Sequence, residues 1–181
     1  MNDAARDGSI NRVAARLVID DHTPQRLARA AAFAYAHSGN FTALHLVTGC
    51  HAMRVITQAA PDIDANDAWR WFWQAYAHGV VAAALQPSPA SAPAPEPWPW
   101  PRIVDAAVAG DDEHVIKLVD SCREHERAIG TPGEEAWRRA ATRAPSMLSG
   151  APEPSAAAIA HSGASFTAST TVAATVATAS A

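Results

Sequence analysis

The sequence contains a single lysine, Lys117, beside thirteen arginines. It stands three residues after His114 in the run Asp112-Glu113-His114-Val115-Ile116-Lys117-Leu118-Val119. On a helix that spacing sets imidazole and amine one turn apart on one face, about 60° around. Arginine serves wherever charge alone is wanted. An amine adds a pKa that falls on burial, nucleophilic character and the capacity to take up CO2 as a carbamate. A carbamylated lysine is a carboxylate on a long stem, so beside His114 it would be a metal ligand of the aspartate or glutamate kind. The competing reading of the same residue is a snorkelling lysine, its stem on the core and its ammonium paired with Asp120 or Glu113.

A second segment, His45-Leu46-Val47-Thr48-Gly49-Cys50-His51, places two histidines about 120° apart with Thr48 about 60° from each. This is not the i, i+4 pair of helical zinc proteases, so either histidine would need ligands from elsewhere to hold a metal, with Thr48 as a nearby hydroxyl. The competing reading is two buried or half-buried imidazoles bonded to backbone carbonyls. His78 closes an aromatic run before Gly79. His22, His37 and His125 lie near helix ends among polar neighbours, and His161 lies in the C-terminal tail; none of these four is assigned a role. Trp69, Trp71 and Trp73 read as core packing, with an aromatic ligand's pocket as the alternative.

The elements that must carry these residues are all helices. Apolar spacing predicts one over Asn11 to Ile19. Thr23 as N-cap and Pro24 at the first position open another to His37, closed by Ser38-Gly39. Asn40 caps a long apolar helix to about Ala59, before Pro61. Asp64 or Asn66 caps a helix over Ala68 to Leu85, in which Trp69, Phe72, Trp73 and Tyr76 recur at helical spacing and face a core. Seven prolines in the sixteen residues 86–101 make an extended connector. A short helix follows over Arg102 to Ala109, then a break at Gly110-Asp111-Asp112 that caps a helix from Glu113 to about Ile129. Gly130 ends that one, and a last helix over Gly133 to Arg143 carries Trp137. After Ala144 the chain is rich in Ala, Ser and Thr with Glu153 as its one charged side chain, and disorder is expected there. No strand-like alternation occurs. The expected fold is therefore all-α: one helical domain of about six helices over residues 1–144, with the proline-rich connector at 86–101 and a low-complexity tail at 145–181.

Composition narrows the partners. A net charge of −4 with both signs scattered gives a nucleic acid or an anionic membrane nothing to hold. The most apolar window, Val80 to Leu85, falls far short of the ~20 residues of a membrane-spanning helix. Cys50 and Cys122 lie in separate helices with no disulfide or zinc spacing, and the N-terminal residues lack a secretory pattern, so a cytoplasmic protein with reduced thiols is expected.

Both histidine segments resemble the questin oxidase-like family. Asn40-Phe41-Thr42-Ala43-Leu44-His45-Leu46-Val47-Thr48 followed by His51-Ala52-Met53-Arg54 looks like one signature, and Asp112 to Val119 like the other. The aromatic helix between them and Trp137-Arg138-Arg139-Ala140-Ala141 fit in order, so the likeness runs over about Asn11 to Arg143. The resemblance implies an O2-dependent oxidoreductase built of helices. Its substrates would be aromatic polyketides of the anthraquinone type, oxidised by Baeyer-Villiger-like or ring-opening chemistry, with NADPH attributed to some members. It further implies non-haem iron held by histidines and a carboxylated lysine, at positions matching His45, His51, His114 and Lys117, with Thr48 as a supporting catalytic hydroxyl. Family members carry a longer N-terminal part, so the chain reads as the C-terminal part of such an enzyme, with a complementing half or self-association supplying what is missing. Two other classes stay open: an inactive helical remnant that binds a partner, and a hydrolase with a carbamylated-lysine metal centre.

Overall fold

A computed structural model describes residues 18–83, 85, 93–130 and 135–148. All regular structure among them is helical: α1 Thr23–Ser38, α2 Phe41–Ala59, α3 Ala65–Ala82, α4 Trp100–Gly110, α5 Glu113–Ile129 and α6 Ala136–Leu148. The helix expected over Asn11 to Ile19 lies almost wholly outside the described residues, as does the tail from 149 onward.

Helices α1, α2, α5 and α6 pack on one another as the central bundle, while α3 lies along α2 and α4 rests on α5 and α6. Small side chains let the inner helices approach: Ala28, Ala31, Ala32 and Ala36 of α1, Ala43 of α2, and Ala140, Ala141 and Ala144 of α6 are all essentially without solvent contact. The α2–α3 crossing uses glycine in the same way. A Cβ at Gly79 would come within 3.2 Å of Leu46, and one at Gly49 within 3.3 Å of the Phe72 ring. Trp69, Trp73 and Tyr76 turn inward, with the Tyr76 hydroxyl donating to the Leu27 carbonyl at 3.1 Å, while Trp71 stands on the opposite face, 69% exposed. No helix among the described residues is long and apolar enough to cross a membrane.

Several boundaries depart from expectation for local reasons. Thr23 does not cap α1. Its hydroxyl donates to Asp20 and accepts from the Asp20 amide, leaving His22 at the cap position without a side-chain bond. Helix α3 begins three residues before Ala68 because Asp64 accepts from the Asp67 amide. Helix α4 starts at Trp100, inside the expected connector, and the extended stretch 93–99 is fastened to α6: the Trp98 amide donates to the Thr142 hydroxyl at 2.9 Å, and Arg139 to the Pro95 carbonyl at 3.3 Å. The left-handed residue after α4 is Asp111 (φ 49°), not Gly110. Helix α6 continues to Leu148 past the compositional change at Ala144, with Pro145 buried.

The N-caps of α2 and α5 set where the histidines project. Asn40 accepts from the amides of Thr42 and Ala43, and Asp112 from those of His114 and Val115 at 2.8 and 3.1 Å. Asp112→Ala should lower stability by about 1 kcal/mol. Chemical denaturation checks this, with Asp112→Asn expected to keep most of the loss from appearing.

Candidate functional site

Helices α2 and α5 carry the two histidine segments and pack directly on each other. Their contact brings His45 and His114, 69 residues apart in sequence, to a ring separation of 5.6 Å in an edge-to-face arrangement. His45 lies on the surface and its Nδ1 meets its own helix's Phe41 carbonyl at 2.8 Å. A carbonyl only accepts, so Nδ1 carries the hydrogen and the neutral ring keeps its lone pair on Nε2. His114 is 39% exposed, with Nδ1 at 3.7 Å from the Asp112 carboxylate that caps its helix. Phe41 touches both rings, at 4.4 Å from His45 and 5.0 Å from His114. One ion at ~2.1 Å from a nitrogen of each imidazole is within reach of this separation only once a ring turns out of the edge-to-face setting.

The other expected site residues stand elsewhere. Thr48 is half-buried, and its hydroxyl donates back to the His45 carbonyl at 3.3 Å. Lys117 is on the His114 helix as expected, yet its Nζ donates to Glu113 at 3.0 Å with both side chains largely in solvent, 64% and 70% exposed. The ion pair with Glu113 is one that the competing reading named, Lys117 stands in solvent and not in a hollow shared with the imidazoles, and the adjacent ammonium holds the Glu113 carboxyl below its usual range. His51 does not join His45 and His114 as a third ring. It packs against His125 at 5.7 Å and accepts from Arg54 at 3.3 Å. Among the described residues no group of three or more His, Cys, Asp or Glu side chains is gathered for one ion. Of the expected ligands, the structure thus brings His45 and His114 together, and Lys117 in its present position does not join them.

His125 is the residue that sequence reasoning missed. It looked like a polar helix-end side chain, but it is 1% exposed and stacked on Trp137 with ring centroids 4.8 Å apart. Among the described residues neither nitrogen has a hydrogen-bond partner of good geometry. Its place on the α5 face with Leu118 and Cys122, seven and three residues before it, was the available signal. Burial pushes its pKa down to about 4, opposed in part by the Val47 backbone and reinforced by His51 and Arg54. Burial, then Arg54, also lowers His51, against the pull of Asp120 and Glu124 on the facing helix.

Because the folded state resists protonating His125, the unfolded chain binds more protons between the ordinary value of 6.5 and about 4. Stability from this group is full above pH 6.5 and falls by up to about 3 kcal/mol as pH drops through that window. Urea denaturation at pH 7 and pH 4.5 should show the drop in the wild type and a much smaller one in His125→Phe.

Cys50 and Cys122 are buried free thiols, and burial raises both pKa values. They are structural rather than nucleophilic in this setting.

The family model described as Questin oxidase-like matches residues 10–122, a stretch that contains both histidine segments and stops short of His125 and Trp137. No curated protein and no solved structure matches the chain.

Proposed function

The chain belongs to the questin oxidase-like family, and from that premise we propose that it is an oxidoreductase that uses O2 to oxidise an aromatic polyketide of the anthraquinone type, with its reacting centre at His45 and His114. The family's description carries the oxidoreductase-like character. The observation that supports the location is the meeting of two imidazoles from the two signature segments, with His45 keeping a lone pair on its outward nitrogen.

Iron is the proposed metal, and when bound it supplies the one-electron chemistry by which O2 reacts with a closed-shell aromatic. His45 and His114 would hold it, and Lys117 would join them if it left Glu113 and its neutral amine added to CO2 with release of a proton, giving a carbamate. His51 is a further candidate ligand, reached by a turn of its ring away from His125, and Thr48 a hydroxyl for orienting substrate. Asp112 fixes the start of α5 and with it the His114 ring. Insertion of one oxygen atom into a carbon–carbon bond leaves the second to be reduced to water by two electrons, which NADPH would bring; a ring-opening dioxygenation needs none. Oxygen uptake by the iron-loaded full chain on adding a hydroxyanthraquinone, with and without NADPH, tests the reading. Uptake in the wild type that falls to background in His114→Ala is the expected result, and no uptake under either condition would remove it.

A second reading, a helical binding protein without catalysis, is favoured by Lys117 facing solvent in an ion pair with Glu113. Concentration-dependent association without iron retention or oxygen uptake would select it.

A further inference from the structure

Phe41 is the first residue of α2, and it is 60% exposed, whereas its helix neighbours Ala43 and Leu44 are buried. Core burial therefore gives no account of an aromatic ring at this position. The ring is nevertheless fixed: His45 meets it edge-on at 4.4 Å, and His114 reaches it from the facing helix at 5.0 Å, tilted by 57°. The Phe41 carbonyl also accepts from His45 Nδ1, so backbone and side chain of one residue both orient the same imidazole. Three rings from two helices thus form one cluster, two of them imidazoles and the third purely apolar. The Phe41 ring remains open to solvent beside them.

We propose that Phe41 is a substrate-positioning residue, a ring platform that stacks a planar aromatic ligand beside His45 and His114. This rests on the reading of those two histidines as the reacting centre. A planar polycyclic substrate has the right chemistry, because offset stacking or edge contact with a phenyl ring is gained only by a flat π-face, and covering the ring removes apolar surface from water. Glycine, alanine or a charged residue at position 41 would keep the carbonyl that accepts from His45 Nδ1 but leave the ligand without a face to lie on. Holding the ligand beside the imidazoles is what such a platform contributes to affinity.

The test is equilibrium titration of the full chain with a hydroxyanthraquinone, followed by quenching of protein fluorescence, in wild type, Phe41→Leu and Phe41→Trp. Phe41→Leu should weaken binding about tenfold while Phe41→Trp stays within about twofold. Helix content and retained iron should be the same in all three, and in turnover the Leu variant should raise KM with little change in kcat. Equal affinity in wild type and Phe41→Leu would overturn the proposal. So would a loss accompanied by loss of iron or helix content, or by loss of a concentration-dependent dimer. Binding that follows the ring while no oxygen is consumed would uphold the platform and remove the oxidoreductase reading, so the two fail separately.

Discussion

Trp137→Ala is expected to lower the stability of the fold by about 3 to 5 kcal/mol, the range for removing a large aromatic from a packed core. Trp137 has no solvent exposure and lies on α6, which packs against α1, α4 and α5 together. Truncation would leave a void where these helices meet and uncover the face of His125 that now stacks on the indole. With a native stability of ordinarily about 5 to 15 kcal/mol, a loss of this size takes much of it. Trp137→Phe keeps a ring against His125 and deletes an indole N–H that has no hydrogen-bond partner among the described residues, so it should cost far less. Denaturant midpoints with unchanged slopes would measure both variants.

The second large effect concerns the metal. His45→Ala or His114→Ala should each weaken iron binding on the order of a hundredfold or more, since each removes an imidazole from a pair. Neither change touches the core, because His45 is exposed and His114 is 39% exposed. Folding should survive, and far-UV circular dichroism with anaerobic equilibrium dialysis against iron separates the two outcomes. Lys117→Arg, dialysed with bicarbonate, isolates the carbamate: arginine keeps the charge facing Glu113 but cannot take up CO2, so retained iron should fall below the wild-type level.

The helices were legible in sequence because their signals are local. Asn40 and Asp112 announce α2 and α5 as caps, and the spacing of Trp69, Trp73 and Tyr76 announces the inward face of α3. The misjudged boundaries turn on competition between nearby groups: Asp20 engages Thr23 in place of the expected cap, and burial of Ala144 and Pro145 carries α6 beyond the compositional break. The His45–His114 pair could be guessed only by bringing two family signatures together, since nothing local says which face of α2 meets which face of α5. The same ignorance hid His125, whose polar type concealed a core position. Lys117 is a different case: its rarity in the composition does not say where a flexible side chain points, and Glu113 one turn away offers it an ion pair in water.

The most direct measurement is a double-mutant cycle on cobalt(II) or iron(II) affinity across His45 and His114. If both imidazoles hold one ion, each single alanine variant loses most of the affinity and the double variant is little worse than either. Additive losses, or wild-type affinity in either single variant, would contradict a shared centre.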